Sequence, residues 1–413
     1  MGTFNIRKQL ALERNVVVLG TTTMVATFGN YLWFFFLPDY YHSNFGASSF
    51  AIGVIYGAWF LALGLGTAPA GALADIFGRK MIIVVSGLIS SASIFILAFS
   101  SNFLLSAIAF PLSGLGSSFL QISYVLVAET VEKERRGVAF GTFQTFTYVL
   151  AAFSPVIGGL TVLKVTSLFP LFIVGASLTL LATIFRALFL KETLIPVRST
   201  KVSRRSFPFL SSFKTIFHSR VLLTLLIVYS IYNLLVDQNS FVLPLYTKQV
   251  LGLGFFEQGI FFSVLLAIIA ASRLPFGKLS DKIGRRRTII ISWIGESLFV
   301  YLFVFAPKGD LSIAVLGVAI WMLFGVMDSP ASNAWLADAT EAKSRGISMG
   351  TFYSATSLIA LPGAIISGAL FQIQPQFPFY ANSILGVLAL VLLIVLTKSS
   401  VNQVPAEKNM TIS

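Results

Sequence analysis

Three carboxylates, Asp237, Glu296 and Asp328, stand inside stretches that are otherwise almost entirely apolar. A carboxylate held in hydrocarbon costs about 2.5–3.5 kcal/mol even on lenient insertion scales, so each asks for a chemical reason. Counted from the ends of their segments, Glu296, Asp328 and Arg273 share one depth, and an intramembrane ion pair between Arg273 and either acid is the plain structural reading. Asp237 lies at another depth, with no lysine or arginine beside it. Only a proton or a bound cation neutralises it there. Proton exchange at Asp237 is the first expectation and a counter-charge for a cationic ligand the alternative, with Asp328 and Glu296 as further proton-coupling candidates.

Other chemistry is poorly served. The chain has no cysteine, which removes disulfides, iron–sulfur clusters and thiol chemistry. His42 and His218 fall in segments that read as loops, so neither a histidine-held metal nor a Ser-His-Asp centre is expected. A phosphate-binding G-x-x-x-x-G-K-[ST] loop is missing, which disfavours ATP-driven pumping. The expectation is a protein that is not an enzyme and needs no metal or cofactor.

The elements that position these acids are written in the composition. The 413 residues are 56% hydrophobic, with a mean hydropathy of +0.86 and 40 phenylalanines, more apolar surface than a water-soluble core buries. A hydrocarbon slab of about 30 Å needs roughly 20 helical residues. Segments of that kind recur at residues 15–37, 50–72, 81–100, 103–127, 137–162, 167–190, 221–246, 256–276, 288–307, 311–334, 346–370 and 376–397. The first is too long for a secretory signal and lacks its small-residue cleavage site, so it reads as a retained span.

The net charge of +13 is distributed in a telling way. Of 29 lysines and arginines, 24 fall on one side of the spans, Lys164, Lys248 and Lys308 on the other, and Arg186 and Arg273 within them. That is the positive-inside rule, which makes both termini and the linker 191–220 cytoplasmic and the basic balance a matter of topology, not of nucleic acid. The linker separates two bundles, 1–190 and 221–397, and a short tail follows at 398–413.

The halves repeat one another. GALADIFGRK (71–80) and GKLSDKIGRRR (277–287) share Gly71/Gly277, Leu73/Leu279, Asp75/Asp281, Gly78/Gly284 and Arg79/Arg285 at a spacing of 206 residues. Pro38/Pro244, Gly53/Gly259 and Pro69/Pro275 keep the same spacing. AETVEKERRGVAFGTF (128–143) matches ADATEAKSRGISMGTF (337–352) at 209, pairing Glu129 with Asp338, Arg136 with Arg345 and Gly141 with Gly350. An even number of spans in each half makes the two run in the same direction, about an axis along the membrane normal.

These doubled motifs resemble the loop 2–3 and loop 8–9 signature of the major facilitator superfamily, and the E/D…RG loops resemble its partner loops. With twelve spans in a 6+6 repeat, the resemblance covers essentially the whole chain. It implies an all-α polytopic membrane protein of twelve transmembrane helices in two six-helix bundles. It further implies that Asp75, Arg79, Glu129 and Arg136, with Asp281, Arg285, Asp338 and Arg345, form a cytoplasmic gate that holds the outward-facing state closed on the inside. A partly exposed ion pair contributes on the order of 1 kcal/mol, which suits a gate better than a permanent brace.

The helices that by this resemblance line the central cavity carry polar stripes at helical spacing. Asn30 and Tyr31 stand on helix 1, Gln121 and Tyr124 on helix 4, Gln144 and Tyr148 on helix 5, Asn233 and Asp237 on helix 7, Trp321 and Asp328 on helix 10, and Tyr353 on helix 11. Together they are the candidate substrate cavity; the alternative is that Ser and Thr in such stripes bond their own backbone. GxxxG pairs at Gly137/Gly141 and Gly346/Gly350 point to close helix crossings. SPVIGG (154–159) resembles the family's antiporter signature, with Ser154 where that pattern has glycine, and mildly favours export. Phe110 stands where the drug-exporting branch carries an arginine, and no acid lies in the middle of a first-half span, so coupling must run through the second half.

The expected function is a secondary active transporter working by alternating access, with proton-coupled export of amphipathic, drug-like or metabolite compounds as the leading form. Proton-coupled uptake or facilitated uniport of a sugar or other metabolite is the alternative, to which LKET (190–193) has a loose likeness. A non-transporting membrane sensor is a remote third. The expected partners are membrane lipid, a small-molecule substrate and protons, without nucleic acid, for a monomer of the cell membrane.

Overall fold

The computed structural model describes residues 13–132, 136–193, 219–236, 239–340 and 345–398, with the side chains of 68, 136–138, 220, 274 and 345–348 left aside. Among these residues twelve helical spans are long and apolar enough to cross a membrane. They are α1 (Arg14–Phe45), α2 (Ser49–Phe77), α3 (Arg79–Phe99), α4 (Phe103–Thr130), α5 (Ala139–Val165), α6 (Phe169–Phe189), α7 (Val221–Gln249), α8 (Phe255–Ile283), α9 (Arg285–Val304), α10 (Leu311–Asp338), α11 (Arg345–Ile373) and α12 (Phe377–Lys398). Several starts are capped by side chains, as at Asn102, which accepts from Leu105 N at 2.8 Å, and Asp310, which accepts from Ile313 N at 3.0 Å.

The first span runs beyond residue 37, to Phe45. A 3-10 turn at Phe34–Phe36 breaks the helix, and Leu37–Phe45 restarts it with Pro38 at its beginning, where a missing N–H costs nothing. His42 therefore lies in a helix, not a loop, its Nδ1 3.1 Å from the Ala47 carbonyl oxygen. His218 lies outside the described residues. In α7 the chain likewise continues past Pro244 to Gln249.

The repeated glycines stand where one helix passes directly into the next. Gly78 and Gly284 adopt φ +98° and +94°, a conformation strained for any residue with a Cβ. Each ends one helix and lets the next begin at once with Arg79 or Arg285.

The two halves meet along two seams. On α2 and α11, a Cβ at Gly53 would stand 3.1 Å from Gly368 Cα, and the Ser354 hydroxyl donates to the Gly64 carbonyl at 2.6 Å. Further along the same helices, a Cβ at Gly71 or Gly350 would meet nothing within 4 Å. The helices diverge there, which corrects the expectation of a close crossing at Gly350; the surroundings of Gly137 and Gly346 lie outside the described set. On α5 and α8, a Cβ at Gly259 would stand 2.9 Å from Val156 Cα, and Val156 N donates to the Ser263 hydroxyl at 3.1 Å.

Aromatic packing closes the end away from the charged loops. Phe35 of α1 stacks on Phe262 of α8 at 4.1 Å between centroids, and Tyr56 of α2 meets Phe241 of α7 at 5.0 Å. Beside them Gln258 Nε2 donates to Asp39 at 3.3 Å, Pro244 O at 3.1 Å and Thr247 Oγ1 at 3.0 Å, all in the buried interior.

Candidate functional site

The second half holds its acids against one turn of α7. Tyr229 and Tyr232, three residues apart, share a helix face. The Tyr229 hydroxyl donates to Asp328 of α10 at 2.6 Å, and the Tyr232 hydroxyl donates to Glu296 of α9. Trp293, one turn before Glu296, lies flat on Tyr232 at 4.3 Å and 15°. A glycine on the facing helix makes room: a Cβ at Gly325 would sit 3.6 Å from the Glu296 carboxyl carbon. Glu296 and Asp328 are 5% and 8% exposed, they act electrostatically on each other, and among the described residues neither has a lysine or arginine within 4 Å. Two like charges sealed from water in this way need a neutralising species.

Arg273 is not that species. It does not pair with Glu296 or Asp328 as the shared depth suggested. Its Nη1 crosses to the first half and donates to Gln144 of α5, with the guanidinium 4.8 Å from the centre of the Tyr148 ring. The side chain points along the α5–α8 seam, whereas the acids are turned towards α7. Asp237 lies outside the described residues.

Two cavities flank this seam. One of about 320 Å³ in the first half is lined by Asn30, Tyr31, Gln121, Tyr124 and Tyr148. Another of about 180 Å³ in the second half is lined by Asn233, Asp328 and Tyr353. Tyr353 bonds Asn333 beside it. The larger volume is at the lower end of what a small organic molecule requires, on the order of 300 Å³. Two of the expected lining residues that are described line neither cavity: Gln144, which is held by Arg273, and Trp321. Trp321 is fully buried, stacked against Phe303 at 6.0 Å and edge-on to Phe379, because its face of α10 turns to the helices behind and not to the cavity.

At the charged end the same triad occurs twice. Arg79 Nη1 bridges Asp75 at 2.6 Å and Nη2 bridges Glu129 at 3.3 Å. Arg285 bridges Asp281 and, at 3.6 Å, Asp338. Every one of these pairs joins residues of a single half. The side chains of Arg136 and Arg345 lie outside the described set.

Sequence reading missed several partners. Glu192 of LKET accepts from Arg79 N at 2.9 Å and Lys80 N at 3.0 Å, capping α3, and Thr193 donates to Glu129 at 2.5 Å. Asn15 and Lys191 exchange two bonds at 3.0 Å. Tyr229 and Tyr232 were within reach, since two tyrosines three apart in an apolar span are a visible signal. The polar stripe of α7 drew notice to the neighbouring face instead.

Twelve membrane helices, glycine seams between two halves and polar cavities beside them define a polytopic membrane transporter. A family model for the Major Facilitator Superfamily matches residues 19–274 and 258–410, and the chain belongs to that superfamily. It is similar to multidrug resistance protein MdtG of Rahnella sp. (strain Y9602), 27% identical over 270 residues that cover 64% of this chain. That match spans 63% of MdtG, less than two thirds of its length. The multi-drug resistance efflux pump PmrA of Streptococcus pneumoniae serotype 4 is 26% identical over 325 residues, covering 76% of this chain and 78% of that protein. Among solved structures, a POT family transporter in complex with 5-aminolevulinic acid has the same fold, with a TM-score of 0.78 at 15% identity over 94% of this chain and 96% of that one. The chain is a multi-pass membrane transporter.

Proposed function

We propose that the chain exports small amphipathic or metabolite compounds in exchange for protons, by alternating exposure of the cavities that its two halves carry. The observation that carries the coupling is the pair Glu296 and Asp328, buried together without a basic partner among the described residues. Asp328 touches the cavity and Glu296 sits behind it, so a proton enters at Asp328. Protonation takes the charge from the carboxylate that accepts from Tyr229, so that bond loses its charge-assisted strength. That loosens α7 from α10, and α7 also carries Phe241 of the aromatic seal. Asp237 remains a third carrier in this reading.

The closed and open ends support the export direction. With the charged loops cytoplasmic by the positive-inside rule, this state exposes its cavities to the cytoplasm, where an exporter loads. The names of MdtG and PmrA as multidrug resistance and efflux proteins support the same direction. Asp75, Arg79, Glu129 and Arg136, with Asp281, Arg285, Asp338 and Arg345, act as the gate, paired within each half here and across the halves when the cytoplasmic side closes. The protein works as a monomer.

Purified protein in liposomes with an internal pH dye, challenged with sugars, carboxylates and lipophilic cations, tests the proposal. Proton movement opposite to substrate, lost in E296Q and D328N, is the expected result. Substrate and protons moving together would establish symport instead, and substrate flux with no proton movement would establish uniport.

A further inference from the structure

Two arginines lie inside the apolar spans, and the fold treats them differently. Arg186 of α6 is 1% exposed, and its Nε and Nη2 donate to the Thr22 and Thr23 hydroxyls at 3.0 and 2.9 Å. Nothing from outside reaches it. Arg273 of α8 is only partly buried. Among the described residues its single hydrogen bond is from Nη1 to Gln144, and no acid lies within 4 Å. Nε is sheltered from water and has no partner. A guanidinium stays charged and offers five N–H donors, so most of this one's capacity is unmet.

The candidate counter-ions are accounted for. Glu296 and Asp328 are bonded to Tyr232 and Tyr229, and Asp237 belongs to another depth of the sequence. What faces Arg273 is neutral: Gln144, the Tyr148 ring, and the Tyr31 and Tyr124 hydroxyls within its electrostatic reach. Those three tyrosines also line the 320 Å³ cavity, together with Phe34, Trp59 and Phe143.

Resting on the transporter reading above, we infer that Arg273 is the docking point for an acidic group of the transported molecule, and that the cavity takes amphipathic organic anions. The Nε/Nη2 edge carries no other bond, so a carboxylate admitted to it makes two parallel bonds, the arrangement in which arginine is most selective. Gln144 and Tyr148 position the guanidinium by holding its other edge and face. The apolar body of the molecule lies along Phe34, Trp59 and Phe143. Because α5 and α8 belong to opposite halves, an anion held here sits on a seam that must move for the cavity to change sides.

The test uses dansylglycine and its uncharged amide, dansylglycinamide, binding to the purified full chain in liposomes, with tetraphenylphosphonium transport measured alongside. The wild type should bind the acid at least about tenfold more tightly than the amide, the discrimination expected of a charge-assisted bidentate contact. R273Q should reduce that ratio to below about twofold, and R273K, which keeps the charge but loses the fork, should leave an intermediate ratio. Equal binding of acid and amide by the wild type, or an undiminished ratio in R273K, overturns the inference. R273K carries the decision if R273Q does not fold. The binding readout also separates this inference from the transporter reading. A wild type that prefers the acid yet moves neither probe keeps the Arg273 site and refutes transport, whereas tetraphenylphosphonium transport with no acid preference does the reverse.

Discussion

The Tyr229 hydroxyl donates to the Asp328 carboxylate at 2.6 Å, tying α7 to α10 inside the second half. Both residues are buried, at 5% and 8% exposure, so the bond has no water to replace it. Removing a hydroxyl from such a pair leaves a buried acceptor short of a partner and costs about 1–3 kcal/mol. Tyr229→Phe is therefore expected to lower unfolding stability by that amount in a denaturation series. In an Asp328→Asn background the same substitution should cost less, and equal costs in both backgrounds would mean that the two groups do not interact.

The α2–α11 seam separates packed glycines from free ones. Gly53→Val places side-chain atoms where Gly368 Cα already stands at 3.1 Å from an added Cβ, and overpacking of this kind costs about 1–3 kcal/mol. Gly71→Ala and Gly350→Ala enter open space and gain helix propensity, up to about 1 kcal/mol each. Thermal unfolding of the three variants should order them accordingly. A destabilised Gly350→Ala would show that the helices remain together at that end.

Gln258 latches the closed end by holding Asp39, Pro244 and Thr247 at once. Gln258→Leu removes those bonds and should shift the balance towards the state open at that end by about 1 kcal/mol, roughly fivefold in population. The chain has no native cysteine, so Ala47→Cys, at a position 6% exposed beside the seal, is a clean reporter. Its labelling by a maleimide should be about fivefold faster in the Gln258→Leu background; an unchanged rate would remove Gln258 from the latch.

The two charge triads are predicted to be weak braces. Their acids Asp75, Asp281 and Asp338 are 70%, 68% and 66% exposed, so each pair is screened by water and salt. Arg285→Ala should lower stability by about 1 kcal/mol or less, with the difference shrinking in 1 M salt. A loss several times larger and insensitive to salt would make the triad a structural core and not a gate.

The fold was legible because its signals are coarse and repeated. Twelve apolar segments and two copies of a glycine-bounded motif each state the helix count and the repeat independently. Gly78 and Gly284 could be read even to their role, since recurrence at 206 residues marks a backbone requirement. The site was legible only in its inventory. Depth along a span placed Arg273 level with Glu296 and Asp328, but depth carries no azimuth, and the side chain turns to Gln144 on the other half. Trp321 shares a polar stripe with Asp328, yet its ring is stacked into the core behind it. Glu192 capping α3 joins residues more than 110 positions apart, which no local pattern encodes.

The most direct test of proton coupling through the second half is substrate accumulation driven by an imposed pH gradient, compared with substrate counterflow at equal pH, in liposomes bearing wild type or the Glu296→Gln/Asp328→Asn double variant. The account predicts that the double variant retains counterflow, because the binding cavity and helix seams are intact, and loses gradient-driven accumulation. Accumulation at the wild-type level in the double variant would contradict it and leave the two buried acids with a structural role alone.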